Sequence, residues 1–291
     1  MSASSTPGEH LLHTDPNSST RLATTPATAG WRYLSFAVIE LAAGETHDVF
    51  LADEELAIVP LSGAGSVDIA GGGTVRLSRD SVFTEIPRVL YAPPRTELSV
   101  TTTGRFEFAI GSAPAEGKYP VRVFEPSEMK SELRGGGTAY RQVNHILAMP
   151  LPAEHLILYE VYVPRGTWGG WAPHNHDGRD GSPYLEEIYY FRMSPPEGFL
   201  MQRNWRDDED FDEVFVAHDR DCVLVTKGYH STVACPTSHL YFLNYLAGEL
   251  LDDDRITPPC FNAKYTWIQD HWDKDAWTLP VLTPPPTAPA S

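Results

Sequence analysis

The 291-residue sequence is short of several things, and each shortage removes a class of protein. No apolar run approaches the roughly 20 residues of a membrane-spanning helix, and the N-terminus "MSASSTPGEHLLHTDPNSST" has no basic-plus-apolar export signal, so the expected compartment is the cytoplasm. Basic residues are scarce, 22 Lys and Arg against 39 Asp and Glu, for a net charge of −17. No basic cluster can neutralise a phosphate backbone, which argues against nucleic acid as a partner. Only three cysteines are present, Cys222, Cys235 and Cys260. Neither their number nor their spacing fits a disulfide framework or a thiolate zinc site, and they read as reduced, small hydrophobes. Dinucleotide-binding and phosphate-cradling glycine fingerprints are absent, and so is long helical periodicity.

What is present is the punctuation of an all-β protein. Runs such as "LAIVPL", "GSVDIA", "RFEFAI", "ILYEVYV", "EEIYYFRM", "CVLVTKG" and "YFLNYLA" are separated by Gly, Pro, Asp and Asn clusters. A hydrophobic content of 42% suffices for a sizeable core. Glycine runs at 71–73 and 135–137 mark turns, and "PSEMKSELRGGGTAYRQ" reads as a connector between two strand-rich halves. The expected organisation is a flexible segment at 1–29, a barrel at 30–130, a second barrel at 131–279 and a Pro-rich tail at 280–291. The order of "GETHDVFLADEELAIVPLSGAG" in the first half faintly repeats that of the second half's chemical segment.

That chemical segment is "WAPHNHDGRDGSPYLEEIYYFRM", residues 171–193. In a strand, residues two apart share a face, so His174 and His176 point to one centre while Asn175 points away. Beyond a turn-rich loop, Leu185, Glu187, Tyr189, Phe191 and Met193 share a face that is apolar apart from Glu187. Glu186 falls on the other face with Ile188, Tyr190 and Arg192. A carboxylate on a buried apolar face is costly unless it is protonated, paired or bound to a cation, which selects Glu187. His230, following the Gly-centred turn in "LVTKGYH", completes a set of three imidazoles and one carboxylate suited to a divalent transition metal with open positions for substrate. His10, His13, His47, His145, His218, His239 and His271 lack such company. Glu54 and Glu55 in the first half have no HxH partner, so no metal is expected there.

The segments "TPATAGWRYLSF", "LSGAGSVD", "RGGGTAYRQVNHIL", "HLILYEVYVPRGTW", "PHNHD", "LEEIYYFRMSPPEGFLMQR", "DEVFV", "CVLVTKGYH" and "YFLNYLAG" occur in the order of the 5-deoxy-glucuronate isomerase family of inositol catabolism, and residues 20 to 270 resemble it throughout. The resemblance implies a bicupin, two tandem cupin barrels, with the metal in the C-terminal one on His174, His176, Glu187 and His230. It also implies an aldose–ketose isomerase converting 5-deoxy-D-glucuronate to 2-deoxy-5-keto-D-gluconate without a redox cofactor. Zinc is the favoured ion, with manganese, iron or nickel as alternatives. The expected partner is a small sugar acid; a homo-oligomer is compatible with the sequence.

Around the metal, Arg203 shares parity with Phe199, Met201 and Trp205 and is expected as a buried cation for the substrate carboxylate. Tyr190, Glu213, Tyr229, Tyr241 and Asn244 lie in matching motifs as candidates to orient or protonate substrate. The sequence departs from the family at Asn175, where a lysine is usual, at Ser231, where a proline is usual, and across 249–265, where Ala263, Lys264 and Tyr265 precede Trp267. Those departures leave room for a different sugar acid, a related bicupin oxygenase, or a sugar-acid-binding cupin without turnover.

Overall fold

The computed structural model describes residues 10–256 and 260–282. Residues 20–124 form one nine-stranded antiparallel sheet folded on itself. Its spine is the 16-residue strand Glu54–Ile69, which pairs with Phe106–Pro114 and Val89–Ala92 at one end and with Gly73–Arg79 and Glu97–Thr101 at the other. A register shift between Pro60 and Ser62 bends it. Gly63 at this bend has φ +83°, and a Cβ there would collide with the Arg105 carbonyl, so glycine is required.

The second half is a sandwich of a seven-stranded and a five-stranded sheet. The larger sheet carries Arg141–Leu147, Ile157–Val163, Leu185–Ser194 and His239–Gly248; the smaller carries Trp168–Asn175, Leu200–Arg206, Phe211–Ala217 and Tyr229–Ala234. Two all-β halves are the architecture the strand punctuation and the family resemblance led to.

One boundary differs from the sequence reading. Residues 10–29 are ordered: Leu11–Leu12 pairs with Cys222–Val225 of the second barrel, and Thr20–Thr24 pairs with Ser35–Leu41 of the first. A Ser- and Thr-rich composition suggested looseness, but β-branched threonines alternating with buried Leu22 suit an edge strand. Strand Lys130–Arg134 pairs with Arg141–Leu147, and all of it but Lys130 falls in the 131–279 span expected for the second barrel. Residues 1–9 and 283–291 of the anticipated terminal segments lie outside the described residues.

The two halves share a core. Phe36, Ala57, Val59 and Tyr91 of the first pack with Leu158, Ile188, Tyr190 and Tyr245 of the second. Three buried carboxylates stitch this seam through backbone amides. Glu55 accepts N–H bonds from Glu154, His155 and Leu156 at 2.6–2.8 Å, Glu154 accepts from Glu116, Gly117 and Lys118, and Glu186 accepts from Arg32, Tyr33 and Leu34. Arg79 and Glu160 form a fully buried ion pair across the same seam. Strand Leu185–Ser194 is therefore buried on both faces, one toward the seam and one toward the interior of the second barrel.

Candidate metal centre

Strands Trp168–Asn175 and Tyr229–Ala234 run antiparallel with His174 opposite His230, and His176 follows just beyond the strand end. The three imidazoles converge: their ring centres are 4.5 Å (His174 to His230), 5.1 Å (His176 to His230) and 5.9 Å (His174 to His176) apart. One nitrogen from each lies within 4.8 Å of the others. From the facing sheet, Glu187 brings its Oε2 to 2.9 Å from His176 Nε2 and 3.2 Å from His230 Nε2. The four side chains chosen by strand parity thus meet at one point from two sheets.

The hydrogen bonding at this point is incomplete in an informative way. His176 Nδ1 lies 2.9 Å from the Leu185 carbonyl, which can only accept, so Nδ1 carries the hydrogen. The Nε2 of a neutral His176 then directs a lone pair at a carboxylate oxygen, an arrangement that needs a positive centre between them. His230 is fully buried, and neither ring nitrogen makes a hydrogen bond. An imidazole buried without a hydrogen bond, its Nε2 3.2 Å from a carboxylate oxygen, is costly, and ligation of a shared metal removes that cost. Burial pushes the Glu187 carboxyl up, but the His176 and His230 imidazoles outweigh it and hold it at about 2. Burial, with the neighbouring His230 and His176, drives His174 well below the usual imidazole range. Burial opposes a charge on His176 also, yet Glu187 draws its pKa upward, so this position attracts a cation. Three nitrogens and an ionised carboxylate, one imidazole oriented by a carbonyl behind it, form a donor set suited to a divalent transition ion.

The centre opens into a cavity of about 260 Å³ between the sheets. Tyr189, Asn244, Tyr159, Arg141 and Phe261 line it with His174, His176 and Glu187. Asn244 Nδ2 donates to the Ile188 carbonyl at 3.0 Å, which commits the amide nitrogen and leaves the amide oxygen as an acceptor. Arg141 Nη1 donates to the Ala139 and Trp171 carbonyls at 3.2 and 3.1 Å. Burial, with Arg134 adding repulsion, lowers the Arg141 guanidinium to about 10, still charged at neutral pH.

Other sequence candidates lie elsewhere. Arg203 points out of the barrel, 42% exposed, in a two-pronged pair with Asp212 at 2.7 Å and over the Trp205 ring. Its apolar companions Phe199 and Met201 are exposed as well, while Gln202 and Asn204 point inward. The outer face of this sheet is itself apolar, so parity with hydrophobic residues selected the wrong side. Tyr190 and Tyr241 face the seam, donating to Glu107 at 3.3 Å and Glu160 at 2.7 Å. Glu213 sits at the barrel edge, accepting from His10 Nδ1 at 2.7 Å, and Tyr229 packs beside Trp205. Of the six non-ligand candidates Asn244 alone lines the cavity. Sequence reasoning passed over Tyr189, although it shares a face with Glu187, and Arg141, although it alternates with Val143 on an inward-facing strand.

Glu186 is as buried as Glu187, so burial does not distinguish the two carboxylates. Their partners do: backbone amides for one and imidazoles for the other. In the first barrel Glu55 plays the part of Glu186, and the residue after it is Leu56, packed in a wholly apolar core where the second barrel has Glu187.

The KduI/IolB family model matches residues 10–268. The 5-deoxy-glucuronate isomerase of Geobacillus thermodenitrificans is 37% identical over 228 residues, covering 77% of this chain and 83% of that protein. The enzyme of the same name from Bacillus subtilis strain 168 is 31% identical, covering 77% and 84%. The crystal structure of an IolB-like protein from Salmonella typhimurium superposes with a TM-score of 0.84 at 35% identity, covering 89% of this chain and 98% of that one. Oxalate decarboxylase of Bacillus subtilis shares the fold alone, with a TM-score of 0.59 at 12% identity over 85% of this chain and 79% of that one. The chain belongs to the KduI/IolB family.

Proposed function

We propose that the protein is a metal-dependent aldose–ketose isomerase of a uronate-like sugar acid, converting 5-deoxy-D-glucuronate to 2-deoxy-5-keto-D-gluconate, and that His174, His176, Glu187 and His230 hold its metal, zinc being the favoured ion. The observation that carries the reading is the convergence of these four side chains beside a small cavity that three of them line, in a chain 37% identical to a 5-deoxy-glucuronate isomerase. A divalent ion held there supplies charge stabilisation for a carbonyl oxygen and its neighbouring hydroxyl. The chain does the positioning: the His176 ring is locked by Leu185, Asn244 offers an acceptor to a substrate hydroxyl, and the Tyr189 and Phe261 rings exclude water.

Two of the three departures from the family pattern fall away from the cavity, and the third, 249–265, brings Phe261 to its lining, so a change in specificity would come from that segment. Asn175 turns from the centre toward Asp177 and Asp180, and Ser231 is buried with its hydroxyl donating to the Gly169 carbonyl. Among the described residues no helix is long and apolar enough to cross a membrane, and a cytoplasmic setting suits a catabolic substrate.

Proton NMR of metal-loaded protein with 5-deoxy-glucuronate, and then with glucuronate, tests the proposal. The aldehyde signal is expected to give way to ketone at constant mass, with no oxygen consumed and no dinucleotide added. A protein that leaves every uronate unchanged while carrying a full complement of metal refutes it.

A further inference from the structure

Arg141 opens strand Arg141–Leu147 and shares parity with Val143, and both side chains line the metal cavity. Its directly opposed neighbour on the adjacent strand is Arg134, which lines the cavity too. Like charges at opposed positions of an antiparallel pair repel, so this placement costs stability unless an anion sits near both. Arg134 has one: it pairs with Glu132 and reaches His145 at 3.3 Å. Arg141 has none. Among the described residues no carboxylate pairs with it; its hydrogen bonds to the Ala139 and Trp171 carbonyls both leave from Nη1, so the edge formed by Nε and Nη2 is not used by them. Arg141 lines the same cavity as Tyr189 and the ligands His174, His176 and Glu187. Arg141 is thus a partly buried cation without a paired carboxylate, lining the same cavity as the metal ligands.

We propose that Arg141 is the residue that seats the carboxylate of the sugar acid, with Arg134 adding positive field at the mouth. The inference rests on the uronate reading above and supplies the anchor that Arg203, on the outer surface, cannot. A uronate carries its carboxylate at the opposite end of the carbon chain from its aldehyde, so the anchor must lie away from the metal but within the same small cavity. A guanidinium edge matches a carboxylate with two parallel N–H bonds, and an ammonium does not. No lysine lines the cavity.

The test is steady-state kinetics with metal content measured on every variant. Arg141→Met is expected to raise KM for the uronate about 10- to 100-fold, the range of a lost charge-assisted bond, while retaining the wild-type metal content. Arg141→Lys, which keeps the charge and protects against misfolding of the Met variant, is expected to fall between the two. Added methylguanidinium should restore part of the activity of Arg141→Ala, a response that a purely structural role would not give. Arg203→Met should match wild type in KM. A metal-replete Arg141→Met with KM within twofold of wild type overturns the assignment, as does loss of activity that neither Arg141→Lys nor methylguanidinium relieves. Wild-type protein inactive on uronates would instead refute the proposed function. Calorimetric titration of metal-loaded wild type and Arg141→Lys with D-glucuronate would then decide the anchor separately: equal affinity overturns it and weaker binding to the variant supports it.

Discussion

Replacing Glu55 by Ala removes the acceptor at the centre of the seam between the barrels. Its carboxylate, fully buried, accepts from the amides of Glu154, His155 and Leu156 at 2.7, 2.6 and 2.8 Å and from the Tyr91 hydroxyl at 2.7 Å. Bonds to a charged group contribute about 1.5–3 kcal/mol each, so four would sum to roughly 6–12 kcal/mol. That sum is too high, because the variant no longer buries a charge; experience with broken buried pairs points to about 3–5 kcal/mol. For a chain of this length such a loss lowers Tm by on the order of 10 °C. Thermal unfolding followed by near-ultraviolet circular dichroism measures it, and Glu55→Gln should fall between, since its amide keeps one acceptor but turns hydrogens toward facing N–H groups. Metal content should not change, because Glu55 lies in the other barrel. A Tm drop below about 3 °C would show that solvent or neighbouring groups replace the carboxylate and that the seam does not depend on it.

Three further outcomes follow from the geometry. His176→Ala should lose tightly bound metal while keeping the circular dichroism of the fold, because the barrel core is built from other residues; retention of one tightly held ion per chain would contradict the ligand set. Arg105, with Arg21, holds the Glu40 carboxyl at about 2, against an ordinary 4.5. A lowered folded-state pKa stabilises above the unfolded value and is lost as pH falls, so the stability difference between wild type and Glu40→Gln should shrink between about pH 4.5 and 2 and be constant above it. Leu56→Glu should destabilise the first barrel without creating a metal site, since its surroundings Ile58, Leu90 and Phe108 offer no ligand; zinc bound by the variant's first barrel would refute this.

Local features of the site were legible because strand geometry is local. His174 and His176 are two residues apart on one strand, and Glu187 lies on the inward parity of another, so their convergence followed from alternation alone. What alternation cannot supply is which face of a strand the rest of the chain will cover. Leu185–Ser194 is covered on both sides, so the parity that separated Glu186 from Glu187 did not separate water from core. Leu200–Arg206 carries apolar residues on its outer face, and Arg203 was misplaced with them, while the cavity's cation came from a strand whose alternation drew no attention. Residues 10–24 show the same limit: a short edge strand gains its stability from the sheet it joins, and composition does not record that sheet.

On the proposed function, isomerisation requires a divalent ion held by His174, His176, Glu187 and His230. Titrating chelator-treated protein with zinc or manganese while following 5-deoxy-glucuronate turnover tests it most directly. Activity should rise linearly and level off at one ion per chain, and His176→Ala should show no such rise. Full activity in the chelator-treated protein, with no metal detectable by elemental analysis, would contradict the account.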